Sequence, residues 1–267
     1  MRGIVILGHG TKDPDGVAEF LELVQGVRQR SGEFVAAGVL EYPSPRVPSI
    51  AQALELAEAE GLDDVVGLPA LLHFGGHSRE DIPGEIKRAQ ARHPHLRIAL
   101  AGPLGYEERL LRTVEERLAP FPQDEDTALL LVGRGSLNSE ANADLFKAAR
   151  LLWDRNRLGW VEAAFVSVSP PGVPEGIERC ARLGAKRVIV APYFLNTGVL
   201  VKRIGQQAHH ATAEVQMAPH LGLHPLVYDV LLERLRQARA GLCPCQAASG
   251  CRIPEWECPR GAACLTA

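Results

Sequence analysis

An alternation of apolar and amphipathic segments that occurs twice constrains the fold most. Short aliphatic runs near 3–8, 34–40, 64–71 and 96–101 are separated by amphipathic stretches near 15–30, 47–60, 79–92 and 106–118. Runs of that length, spaced by helix-length segments, predict a parallel sheet covered by helices. After APFPQDED (119–126), whose prolines and acids mark a linker, strands recur near 127–132, 160–168, 187–191 and 215–218. The two halves also share motifs. ILGHGT (6–11) answers to LVGRGS (131–136), and SPRVPSI (44–50) to SPPGVPEGI (169–177). LPALLHFGGH (68–77) answers to APYFLNTGVL (191–200), and LAGPLG (100–105) to MAPHLG (217–222). Between the second and third matches the offset shortens by roughly three residues, which reads as the loss of about one helical turn. The expectation is two similar doubly wound α/β lobes, 1–120 and 125–240, with a cleft between them. A cysteine-rich tail, 241–267, follows.

Ligands of doubly wound parallel sheets gather at the carboxyl ends of the strands, where loops diverge and helix N-termini point into the crevice. His9 stands at the end of the first apolar run, Glu41 directly after the second, and His77 in a Gly-Gly loop after the third. The aligned residues of the second half are Arg134, Ser167 and Leu200, so the metal-competent and proton-accepting groups belong to one lobe alone. Two imidazoles and a carboxylate bind divalent cobalt, nickel, iron or zinc while leaving coordination positions open for exchange. The same side chains also serve ordinary loops, as helix caps or backbone hydrogen-bond partners. His73 aligns with Asn196 and is either a third imidazole or a packing residue.

Other chemistries fit less well. GHGTKDPDG lacks the GK[ST] ending of a phosphate-binding loop, and there is no HExxH. GHSRE carries Glu80 where a nucleophile elbow needs glycine, so Ser78 is read as the cap of the helix after it, with Asp81 completing the box. At 46% apolar and 23% charged residues the chain is globular, and a formal charge of -3 gives no basic field for nucleic acid. An anionic ligand must therefore meet a local cluster. The apolar run before His9 is too short for a secretory leader, and nothing approaches a membrane span, so a cytoplasmic location is expected. The sequence says nothing of oligomeric state.

At LGHGT, GVLEYPSPRVPSI and LPALLHFGGHSREDIP the chain resembles the sirohydrochlorin chelatases, in particular the long, two-lobed cobaltochelatases of CbiX type. The likeness runs over about residues 1–240, through VGRGSLNSEAN and PYFLNTGVLVKRI in the second half. It implies insertion of a divalent metal, cobalt foremost, into sirohydrochlorin during cobalamin biosynthesis, without a nucleotide. The alternatives are a sirohydrochlorin ferrochelatase serving siroheme, a metal or tetrapyrrole carrier without turnover, and a small-molecule hydrolase using Ser78 or a metal-bound water. The resemblance makes His9 and His77 the metal-binding histidines and Glu41 their acidic partner. The HFGG around His73 departs from a more apolar pattern. Because the tetrapyrrole bears many carboxylates, Arg46, Arg79, Arg134, Lys202 and Arg203 are the residues expected to grip it. Relatives often carry a histidine-rich or iron-sulfur tail. Here Cys243, Cys245, Cys251, Cys258 and Cys264 lack any CxxC pair, and metal or cluster binding, disorder and disulfides all stay open.

Overall fold

The computed structural model describes residues 1–72, 81–208 and 213–242. Within them eight strands alternate with eight helices. The first sheet is built from β1 (Arg2–Gly8), β2 (Phe34–Val39), β3 (Asp64–Pro69) and β4 (Arg97–Leu100), all parallel, in the order β2-β1-β3-β4. The second is built from β5 (Thr127–Gly133), β6 (Trp160–Phe165), β7 (Arg187–Pro192) and β8 (Glu214–Met217), again parallel, in the order β6-β5-β7-β8. The doubled alternation therefore becomes two copies of one α/β topology, as expected. In each copy the central strand is covered on both faces and reads as unbroken aliphatic sequence, IVIL in β1 and ALLLV in β5, every residue of which is buried.

The helices are α1 (Pro14–Ser31), α2 (Ile50–Ala59), α3 (Ile82–Arg92), α4 (Glu108–Leu118), α5 (Ser139–Arg155), α6 (Val173–Arg182), α7 (Val199–Ala208) and α8 (Pro225–Arg239). Among the described residues none is long and apolar enough to cross a membrane. The compact units do not follow the two sequence repeats segment by segment. One unit comprises Met1–Gly10, Leu23–Glu107 and the chain from Tyr228; the other comprises Thr11–Glu22 and Glu108–Val227. Helix α4 thus belongs with the second sheet and most of α8 with the first. An amphipathic pattern says that a helix needs an apolar surface, but not which sheet supplies it.

The three-residue deletion is not a helical turn either. Helices α2 and α6 are both ten residues long and start at equivalent points, after the bridges Val39↔Ser49 and Phe165↔Gly172. The deletion lies in the loop before them, so Ile50 corresponds to Val173 rather than to Ile177. The physical reason is rotational: removing three residues from a helix turns everything beyond by about 300° and would roll its apolar face off the sheet, whereas a surface loop absorbs the change.

Candidate functional site

In the first unit the β1–β2 ladder continues past the strand ends. Leu40 N–H donates to Gly8 O at 3.1 Å and Glu41 N–H to His9 O at 2.8 Å. His9 and Glu41 are therefore held side by side at the carboxyl edge, on the loops of the central strand and its neighbour. Gly10 makes this possible. It adopts φ +96, and a Cβ placed on it would lie 1.9 Å from the Glu41 carbonyl oxygen, so no side chain fits between the two loops.

The His9 Nε2 lies 4.0 Å from Glu41 Oε1, and both side chains are partly exposed. Nδ1 sits 3.4 Å from the Gly10 carbonyl; the tautomer that donates there leaves the Nε2 lone pair to face a cation. A first-row divalent ion bonded to both groups at about 2.1 Å sets their separation at about 3.0–3.4 Å for cis octahedral or tetrahedral angles. A Glu41 rotation of under about 1 Å closes that difference. Among the described residues no set of three His, Cys, Asp or Glu side chains converges. His77, the expected second imidazole, lies outside the described residues, as do His73, Ser78, Arg79 and all five tail cysteines.

The second unit repeats the scaffold with different chemistry. Val166 N–H donates to Gly133 O at 3.0 Å and Ser167 N–H to Arg134 O at 3.1 Å. Gly135, at φ +88, has Ser167 O only 2.2 Å from where a Cβ would be. Arg134 and Ser167 stand where His9 and Glu41 stand in the first copy, which is the aligned pairing. The residues after them, Tyr42 and Val168, share a left-handed backbone at φ 54 and 64.

The remaining expected grip residues divide. Arg46, Arg134 and Arg203 are exposed. Lys202 is committed within its own unit. Its Nζ donates to Asp13 at 2.7 and 3.0 Å and to Asp15 at 2.7 Å, while Asp13 also caps α1 by accepting from Asp15 and Gly16 N–H. The Lys202 hydrogen bond is the main reason the Asp13 carboxyl is held below its ordinary range, and the two carboxylates in turn raise Lys202. Lys202 thus already has two carboxylate partners in this structure. A helical position three residues after a loop reads the same for a solvated lysine, a ligand-gripping lysine and an internal ion pair.

One polar pair escaped the sequence. His220 Nε2 lies 2.9 and 3.0 Å from the two Glu19 oxygens, and Glu19 also accepts Thr197 N–H. Burial pushes Glu19 upward, but hydrogen bonds from His220 and Thr197 and the charges of His220 and Arg117 outweigh it, so its carboxyl sits below the ordinary range. Some 200 residues separate the two partners, and no local signal joins them.

Comparison with known proteins places this geometry in context. The CbiX family model matches residues 3–120 and 128–238. The sirohydrochlorin cobaltochelatase of Priestia megaterium is 35% identical over 252 residues, covering 90% of this chain and 81% of that protein. The sirohydrochlorin ferrochelatase of Bacillus subtilis is 25% identical over 246 residues, covering 90% and 92%. The crystal structure of the sirohydrochlorin chelatase SirB from Bacillus subtilis subspecies spizizenii in complex with cobalt superposes with a TM-score of 0.75 at 24% identity, covering 90% of this chain and 96% of that one; it shares the fold.

Proposed function

This chain belongs to the CbiX family, and from that premise we propose that it inserts a divalent metal, cobalt foremost, into sirohydrochlorin. The observation that carries the reading is the His9–Glu41 pair, two groups of ligand and base type held in register at the carboxyl edge of one sheet and replaced by Arg134 and Ser167 in the other.

Insertion requires the aqueous ion to shed water, the macrocycle to receive it through one face, and two pyrrole N–H protons to leave. In this reading His9 and His77 hold the ion through neutral imidazole and leave its other positions exchangeable. Glu41, within 4.0 Å of His9 Nε2 and partly exposed, accepts the two pyrrole protons one after the other as the metal–nitrogen bonds form and passes each to water. Arg46, Arg79, Arg134 and Arg203 are the cations offered to the carboxylates of the macrocycle. The five tail cysteines have no part in this chemistry.

Cobalt is preferred because the 35% identical relative is named a cobaltochelatase. The second reading, iron insertion for siroheme, is favoured by relatives at 25 and 26% identity that are named ferrochelatases. Imidazole and carboxylate bind both ions, so ligand type does not rank them. The test is anaerobic incubation of the purified protein with sirohydrochlorin and Co(II), Fe(II) or Ni(II), following the change in absorption against a control without protein. Acceleration by the wild type, with a loss of about 100-fold or more in His9→Ala and His77→Ala, is the expected result. Binding of both substrates without acceleration would establish a carrier instead.

A further inference from the structure

We propose that Arg134, Leu137 and Val168 form a rigid seat for the macrocycle in the second unit, with the two aliphatic side chains against the face of the ring and the guanidinium on a peripheral carboxylate. The proposal rests on the reading of the chain as a sirohydrochlorin chelatase and adds the residues that discriminate its organic substrate.

The loops after β5 and β6 are bonded into one platform. Ser169 Oγ donates to Ser136 O at 2.6 Å, and Ser167 N–H donates to Arg134 O at 3.1 Å. The Asn142 amide, reaching from α5, donates to Ser136 O at 2.8 Å and to Ser169 Oγ at 3.0 Å, and its oxygen accepts Ser136 N–H at 2.9 Å. Asn138 N–H closes the turn onto Ser136 Oγ at 3.1 Å. Gly135 packs so tightly against the other loop that a Cβ would lie 2.2 Å from Ser167 O and 3.1 Å from Ser169 N. Every polar group named here is spent on holding the loops to each other.

Three large side chains are left facing solvent. Leu137, between the anchored Ser136 and Asn138, is 95% exposed, and Val168, between the anchored Ser167 and Ser169, is 51% exposed. Arg134 is exposed and makes no ion pair among the described residues. Val168 also adopts φ 64, a backbone state that β-branched residues rarely occupy and that glycine would occupy freely. A surface loop with no ligand gains nothing from an aliphatic residue in a strained state beside another that is almost wholly in water. An apolar disc rimmed with carboxylates accounts for both features. Covering Leu137 and Val168 takes them from water, and Arg134, on the same bonded platform, supplies the opposite charge. Because the loops are already locked, little ordering entropy is lost on binding.

The test uses the full-length protein and metal-free sirohydrochlorin, titrated by absorption, with KM for Co(II) measured in parallel. Leu137→Asp and Arg134→Gln are each expected to raise the dissociation constant about 10-fold or more, and Val168→Gly about 3-fold or more. Val168→Gly suits the backbone state already present, so its thermal stability should be retained. All three should keep KM for Co(II) within about 2-fold, since none of the three is a metal ligand in this reading. Wild-type affinity in Leu137→Asp and Val168→Gly would overturn the seat while leaving the chelatase reading intact. A change in the mass of the protein in solution at wild-type affinity would overturn it too, in favour of a self-association face. A wild type that does not bind sirohydrochlorin would remove the chelatase reading and the seat with it.

Discussion

Replacing Gly10 with alanine should damage both the stability of the first unit and its use of metal, and the structure sets the size of the first effect. The added Cβ would lie 1.9 Å from Glu41 O and 2.9 Å from the carbon that bears it. An ordinary contact needs over 1 Å more, so the Glu41 loop must retreat and its 2.8 Å bond from Glu41 N–H to His9 O is lost, with the 3.1 Å bond from Leu40 N–H to Gly8 O weakened. Alanine at φ +96 costs about 1–2 kcal/mol, and each lost bond about 1 kcal/mol. Restricting the unfolded chain returns about 0.4–1 kcal/mol, leaving a net loss of about 2–3 kcal/mol. Gly32 provides the control, because it too has a positive φ, +68, but nothing lies within 4 Å of its Cβ position. Gly32→Ala should cost only the backbone term, about 1 kcal/mol or less after the same offset. For a chain of this size the two variants should melt about 5–10 °C and under about 4 °C below wild type. Displacing Glu41 from His9 should also raise KM for Co(II) in Gly10→Ala. Gly135→Ala meets the equivalent clash at 2.2 Å in the other unit, and should lose similar stability with KM for Co(II) unchanged. Circular dichroism melts and the insertion assay read all three. If Gly10→Ala melts with Gly32→Ala and keeps its KM, the close approach of the two loops does not hold the site together.

Further outcomes follow from other side chains. Arg234 is buried and forks from α8 onto Pro103 O at 3.1 Å and Leu104 O at 3.0 Å, so Arg234→Ala should cost about 2–4 kcal/mol in urea unfolding, with Arg234→Lys recovering only part because an ammonium cannot span both carbonyls. Lys202→Met should lower the melting temperature, by exposing the like charges of Asp13 and Asp15 to each other, without changing affinity for sirohydrochlorin; a loss of affinity at unchanged stability would return Lys202 to the substrate site. Glu19, whose carboxyl is lowered in the folded state, contributes stability that is present above its ordinary value of 4.5 and disappears as pH falls through the lowered one. The stability gap between wild type and Glu19→Gln should therefore be full at pH 7 and shrink steadily in melts taken below about pH 4.5, and a gap independent of pH would remove the ionised Glu19 carboxylate from the account.

Much of this protein is legible without coordinates because its signals are local or repeated. An aliphatic run such as IVIL, followed by glycine and then by a helix-length amphipathic segment, can only be a covered parallel strand, and meeting the pattern twice yields both sheets. The contrast of GHG with GRG, and of Glu41 with Ser167, is equally local, and it is what leads the sequence to assign metal chemistry to one copy. What the tertiary structure decided was partnership. Helix α4 and most of α8 join the compact unit built on the other half's sheet, Lys202 is paired with Asp13 and Asp15, and Glu19 finds His220 across the chain. The three-residue deletion moved from a helix to a loop, and Gly10 proved to be the point where two loops touch. Apolar periodicity records how strongly each segment needs to be covered, which is a property of the segment alone. Which surface covers it, and which charge meets which, depends on long-range closure, where many pairings satisfy the same local pattern and only the packed whole selects among them.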